Sequence, residues 1–367
     1  MDPLKAVQQH GQSIWLDYIR RELITSGRLA GLLDEGLRGL TSNPTIFHKA
    51  VAESTDYDAQ VREIVQSNPD ARAAAIYERL AIEDIRKAAD IFRQVYEESY
   101  GADGYVSLEP SAHLAYDTQA TIAEVRRLWQ LVDRPNVMIK VPATRQGVPA
   151  IETLIAQEIN VNVTLMFSLK HYNLVSRAWL RGIERCDNPQ RVASVASFFV
   201  SRIDTYVDRE LERIGGGEAL ALRGRAAVAN SRLAYRRFRQ ILGGEEFSSL
   251  GKRGARIQRL LWGSTSTKNP AYSDVKYVEE LIGPDTVNTV PLETLEAFRE
   301  HGRVEPGLPG DIEEAEEVIN GLESLGIRMD SVCEQLQVDG VRAFADSLDA
   351  LLASLEQKRR QFVPARR

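Results

Sequence analysis

The sequence predicts an α/β fold: a (β/α)8 TIM barrel with inserted helices and a helical C-terminal extension. Two observations carry this expectation. Eight short apolar runs recur along the 367 residues, each ending in polar side chains, and amphipathic helical spacing fills the intervals between them. Continuous apolar runs between helices are what two-sided burial of parallel strands requires.

In chain order the predicted strands are Ile14–Asp17, Gly39–Ser42, Tyr105–Glu109, Val137–Val141, Val161–Met166, Val192–Val200, Leu260–Thr265 and Thr286–Val290. Ile82, Ile85, Ala89 and Phe92 line one helical face, as do Val341, Phe344, Leu348, Leu351 and Leu355. Asp117 suits an N-cap before Ile122, Val125 and Trp129. Two strand-to-strand intervals are about twice as long as the rest, which places extra helices in 50–100 and 210–255. The expected domain organisation is one barrel domain over 1–367, with strands over about 14–290 and a helical extension over about 292–360. The basic end, Lys358 to Arg367, reads as a frayed solvated tail.

Composition narrows the function. Lys+Arg is 46 against 52 Asp+Glu, a net charge of −6, so the chain lacks the basic surplus that a nucleic-acid binder uses on phosphates. No apolar run is long enough to span a membrane, and the N-terminal MDPLKAVQQHG has no apolar signal core. Cys186 and Cys333 form no CxxC pair or disulfide framework, so a reducing cytoplasm is the expected setting. No phosphate-cradling glycine motif follows a strand, and Gly215–Gly217 read as a helix end. The five histidines share no metal-ligand spacing. Asn162-Val-Thr164 matches a glycosylation sequon, but it lies inside a predicted buried strand.

The polar residues at the strand ends are more informative. Asp17, Asn43, Glu109, Lys140, Thr164 and Ser197 each lie in or just beyond a different predicted strand, near its C-terminal end. In a barrel those ends converge on one mouth, where catalytic residues gather. Lys140 stands in the apolar run VMIKVPA. Burial disfavours the charged amine, and a neutral amine attacks carbonyl carbon; the alternative is a structural lysine that snorkels or pairs with a carboxylate. Asp17 reads either as a helix cap or as a base near the lysine. Glu109, before Pro110, points either into the mouth or to solvent. Arg202 follows the sixth strand, and Ser264, Ser266 and Lys268 follow the seventh. Hydroxyls with a guanidinium and an ammonium suit a phosphate monoester, the alternative being a solvated loop.

At these residues the sequence resembles the transaldolases. The matching segments are TSNPTIF (41–47), VSLEPS (106–111), VMIKVPATRQGVPAIETL (137–154), INVNVTLMFS (159–168), ASFFVSRID (196–204), GSTSTKN (263–269) and TVNTVPLETLEAF (286–298). The C-terminal VDGVRAFADSLDALLASL resembles the longer bacterial form. The resemblance implies a Schiff-base aldolase-type barrel. Lys140 would form the imine and Asp17 would act on the donor's C4 hydroxyl. Glu109 and Thr164 would hold the catalytic water, and Asn43 and Ser197 would bind hydroxyls of the dihydroxyacetone part. Arg202, Ser266 and Lys268 would bind phosphate, Lys268 standing where transaldolases more often carry arginine. The expected reaction transfers a dihydroxyacetone unit between sugar phosphates, in the non-oxidative pentose phosphate pathway, with no cofactor and no metal. The expected partners are sugar-phosphate substrates, without nucleic acid or membrane, and the expected state is monomer or homodimer. Two rivals remain at this point: an aldolase that releases free dihydroxyacetone, and a non-catalytic sugar-phosphate-binding barrel. Phe199 bears on the first. It reads as core packing, but aldolase relatives carry tyrosine where transaldolases carry phenylalanine, and a phenyl ring offers no proton for hydrolytic release.

Overall fold

The computed structural model describes residues 2–362, so the last five residues of the basic tail lie outside the described residues. Eight parallel strands close into a barrel in chain order. They are β1 (Gln12–Asp17), β2 (Gly39–Thr41), β3 (Tyr105–Leu108), β4 (Val137–Pro142), β5 (Val161–Met166), β6 (Ser194–Phe199), β7 (Gln258–Gly263) and β8 (Thr286–Val290). All eight predicted strands are present, with ends shifted by up to two residues. The seventh ends at Gly263 instead of Thr265 because Ser264 turns to φ +54, out of the extended region.

The barrel interior is built in layers. Trp15, Tyr105, Met138, Val195, Leu261 and Val287 form an apolar cluster of their own. One strand repeat further along, Asp17, Thr41, Ser107, Lys140, Ser197 and Thr289 carry polar groups, as the two-residue period of a strand dictates. Gly39 is required by the lower layer: a Cβ there would stand 2.5 Å from the Trp15 ring.

The helical expectations hold. Ile82, Ile85 and Ala89 lie on the helix Ala73–Ile91, and Phe92 caps it. The Asp117 carboxylate accepts from Ala120 N at 2.9 Å at the start of Thr118–Val132. Gly215 ends Ser201–Ile214 at φ +72. The first insertion holds Asp58–Ser67, Ala73–Ile91 and Arg93–Glu98; the second holds Gly217–Leu220, Ala226–Leu242 and Glu245–Lys252. After β8 come Leu292–His301, Ile312–Ser324 and the 34-residue C-terminal helix Met329–Phe362. One expectation is corrected. Lys358–Phe362 is not frayed but helical: Lys358 pairs with Asp58 and donates to Ser54 O at 2.8 Å, and Arg62 lies over the Phe362 ring at 4.7 Å.

The C-terminal helix crosses the C-terminal ends of the strands. Gln337 Nε2 donates to Ala143 O at 3.1 Å and to Leu165 O at 2.9 Å. Thr45 Oγ1 donates to Ser347 Oγ at 2.8 Å, which ties the same helix to Pro44–Ala52. Leu165 is a bulge in β5, with φ +54 and a register shift against β6. Such a backbone costs on the order of 1–3 kcal/mol, and it persists only where neighbours hold it. Both Cys186 and Cys333 are buried free thiols.

Candidate active site

A cavity of about 620 Å³ opens among the C-terminal strand ends. Lys140 sits at its floor, 5% exposed. Its Nζ donates to Ser42 O at 3.1 Å and lies 2.8 Å from Glu109 Oε2. The lysine is therefore both in the mouth and paired, so the two readings of it do not exclude each other. Glu109 turns to the lysine and not freely to solvent. Burial pushes its carboxyl above the ordinary carboxylate range, against the opposing pull of Lys140. Its carboxylate does not line the main cavity but borders a smaller one of about 200 Å³, beneath Leu348 and Leu352 of the C-terminal helix.

Asp17 lines the main cavity and accepts from Thr41 Oγ1 at 2.7 Å. It caps no helix: the cap of the following helix is Arg20. Burial raises its carboxyl pKa, while Lys140, the Thr41 hydroxyl and Arg202 oppose that shift. Thr164 is 1% exposed and lines the cavity, and its Oγ1 is a buried hydroxyl with no hydrogen-bond partner among the described residues. A buried polar atom of this kind needs a partner, which suits a hydroxyl that holds water or substrate.

Asn43 lines the cavity, but its Oδ1 is committed to Ile46 N at 3.0 Å as the N-cap of Pro44–Ala52. Ser197 Oγ donates to Asn162 Oδ1 at 2.6 Å, and Asn162 Nδ2 donates to Ser107 Oγ at 3.0 Å. Asn162 thus belongs to the site, although in the sequence it reads only as part of a sequon within a buried strand. The signal that marks it is period-two spacing: Asn162 and Thr164 both face the interior from an otherwise apolar strand. Thr289 and Thr41 share a hydroxyl contact of 2.8 Å across β8 and β2, and sequence reasoning missed this pair too.

The cationic side gathers Arg202, Lys268 and Lys49 in the same cavity. Arg202 is half-buried and makes no hydrogen bond or ion pair among the described residues. It lies over Phe199 at 5.4 Å and over Phe344 at 5.8 Å. Burial lowers its pKa, opposed by Asp17 and Glu109. Lys268 is at the rim, with Nζ donating to Ser266 Oγ at 2.7 Å. Desolvation, then the like charges of Arg202 and Lys49, hold its ammonium below the ordinary lysine range. Lys49 was also missed, because its helix offers no strand-end pattern. Ser264 meets Ser201 Oγ at 3.1 Å. Phe199 is 7% exposed, packs on Phe167 at 5.2 Å and still lines the cavity, so it is core and wall at once.

A closed eight-stranded barrel with a buried lysine–carboxylate pair beside a cluster of unpaired cations defines an enzyme of the Schiff-base, sugar-phosphate type. Residues 14–355 match the profile of the Transaldolase/Fructose-6-phosphate aldolase family, and the chain belongs to that family. A protein described as a transaldolase from Saccharopolyspora erythraea is 45% identical over 364 residues, covering 97% of each chain. One from Thiobacillus denitrificans is 46% identical over 360 residues, 97% of this chain and 100% of that one. One from Mycolicibacterium smegmatis is 44% identical over 355 residues, 95% of each.

Proposed function

We propose that this chain is a transaldolase that moves a dihydroxyacetone unit through an imine on Lys140. The donor is sedoheptulose 7-phosphate or fructose 6-phosphate, and the acceptor is glyceraldehyde 3-phosphate or erythrose 4-phosphate. The observation that carries the reading is Lys140, paired with Glu109 behind it at 2.8 Å, on the floor of a cavity that also holds Asp17, Thr164 and the free guanidinium of Arg202.

In this reading Glu109, whose proton affinity burial raises, takes a proton from Lys140 as the amine adds to C2. Thr164 and Glu109 hold the water lost on dehydration. Asp17 takes the C4 hydroxyl proton, the C3–C4 bond breaks, and the aldose phosphate leaves. The electron pair passes into the protonated imine, which does the work a metal would do in a metal-dependent aldolase. The three-carbon carbanion then adds to the acceptor aldehyde, and water returns to release the new ketose. Ser197 and Asn43 bind hydroxyls of the three-carbon part. Arg202, Ser266 and Lys268 bind the phosphate.

The chain is one domain over 1–367 working in the cytoplasm, as a monomer or a homodimer. No helix among the described residues is long and apolar enough to cross a membrane.

Borohydride tests the proposal. Reduction in the presence of fructose 6-phosphate is expected to leave a three-carbon adduct on the peptide containing Lys140 and to abolish turnover. An active protein with that peptide unmodified would overturn it.

A further inference from the structure

Phe344 belongs to no strand end and to none of the roles above, yet its ring reaches the site. It is on the C-terminal helix, 4% exposed, and it lines the main cavity. Its ring centroid lies 5.9 Å from Lys140 Nζ and 5.8 Å from Arg202 Cζ. Arg202 Cζ therefore lies within about 6 Å of two phenyl rings, Phe344 and Phe199, and is held by no polar side chain among the described residues. Of the apolar face Val341, Phe344, Leu348, Leu351 and Leu355, only Phe344 borders this cavity.

The helix that brings the ring is fixed at this height. Gln337 ties it to the ends of β4 and β5 by its two hydrogen bonds to Ala143 O and Leu165 O. One helical turn before Phe344 stands Gly340. A Cβ there would come within 2.8 Å of Leu165 Cδ2 and 3.5 Å of Arg202 Nη1. Glycine thus lets the helix backbone come close to the Leu165 side chain and the guanidinium, and a larger residue would have to displace one of those side chains.

We propose that Phe344 is a positioning residue for Arg202 and, through it, sets the preference for phosphorylated over unphosphorylated ketoses. The inference rests on the reading of Lys140 as the imine lysine and Arg202 as a phosphate ligand. A guanidinium is drawn to a ring face within about 6 Å. Two rings at that distance limit where the guanidinium can move, and its N–H groups, bonded to no side chain among the described residues, remain for an oxyanion. The apolar rings also keep water off the cation, which strengthens its attraction to phosphate. Without the ring, Arg202 swings and is hydrated, and only a substrate that uses it is penalised.

The experiment uses the full chain and the variants Phe344→Leu, Phe344→Tyr, Arg202→Ala and the double variant Phe344→Leu/Arg202→Ala. Half-saturation is read from the rate of borohydride inactivation, with fructose 6-phosphate and with fructose. Leucine keeps the apolar filling and removes the ring, so folding is preserved. Phe344→Leu is expected to raise the half-saturating concentration of fructose 6-phosphate about three- to tenfold, with that of fructose unchanged. Phe344→Tyr should restore it. In the Arg202→Ala background the leucine change should add nothing, since coupled residues are not additive. An equal change for both sugars, or an additive effect on Arg202→Ala, would overturn the proposal. Absence of any adduct on Lys140 in the unaltered chain would instead overturn the underlying reading.

Discussion

At the scale of single residues the chemistry depends on where protons rest. Glu109 and Asp17 are both held above the ordinary carboxylate range by burial. In the proposed cycle each must be ionised to accept a proton. Activity should therefore fall on acidification at a pH above that range, since the raised groups protonate first. Glu109→Gln is expected to lower kcat on the order of a hundredfold and to shift the acid limb of kcat/KM toward that of Asp17 alone. A pH–rate profile whose acid limb is the same in the variant would count against Glu109 as the proton carrier. Phe199 poses a different question. Its ring is both packed on Phe167 and part of the wall of the cavity that holds Lys140, so a hydroxyl added to it would change that wall. Phe199→Tyr should raise the release of free dihydroxyacetone relative to transfer, measured without and with acceptor; unchanged partitioning would deny the residue that role. Lys140 and Asp17 were legible in the sequence because a charge inside an apolar strand demands an explanation. Phe344 was legible only as one more apolar position of a helix. Nothing in a 3, 4, 3 spacing says which ring of the stripe will meet a cation, because that depends on how high the helix docks.

At the scale of elements the strands and their order were readable because burial on both faces writes an apolar run. Their exact ends were not all readable: β7 stops at Gly263 because Ser264 leaves extended geometry without being a glycine, and the Leu165 bulge inside β5 left no mark in its apolar run either. The helix Ser201–Ile214 shows how a buried carboxylate fixes one element to others. Asp204 is 2% exposed, accepts from Ala227 N at 2.7 Å and from Tyr277 Oη at 2.8 Å, and so joins the sixth-strand helix to the second insertion and to the segment before β8. Burial raises its pKa to about 6 from an ordinary value of 3.8. The folded chain therefore holds this proton where the unfolded chain has lost it. Its contribution to stability is full below pH 3.8 and is lost as pH rises through about 6. Asp204→Asn should flatten the fall in unfolding free energy across that window, read by denaturant titration at several pH values. A slope equal to that of the unaltered chain would show that Asp204 does not carry it.

At the scale of the whole molecule, length first suggests more than one domain at about 150 residues each. Packing suggests another account. One apolar cluster runs from Leu4 to Leu355 and includes both insertions and the C-terminal helix. That helix is tied by Gln337 to the strand ends, by Ser347 to Pro44–Ala52 and by Lys358 to Asp58, so its hydrogen bonds reach from the mouth to the first insertion. A segment held at three separate places cannot leave without exposing Leu165, Phe167 and the inner face of Pro44–Ala52. The chain should thus unfold as a unit, although βα barrels with long extensions have room for two. All four tryptophans, Trp15, Trp129, Trp179 and Trp262, precede the extension. Fluorescence then reports the barrel alone, while amide exchange over Met329–Phe362 reports the helix. The expected result is that denaturant midpoints by fluorescence and by far-ultraviolet circular dichroism coincide. The buried-face amides around Gln337 to Leu351 should exchange only through global opening. If those amides open at a free energy well below that of the barrel, the helix is a separately hinged cover, and the placement of Phe344 over Arg202 becomes one state of a moving element instead of a fixed wall of the site.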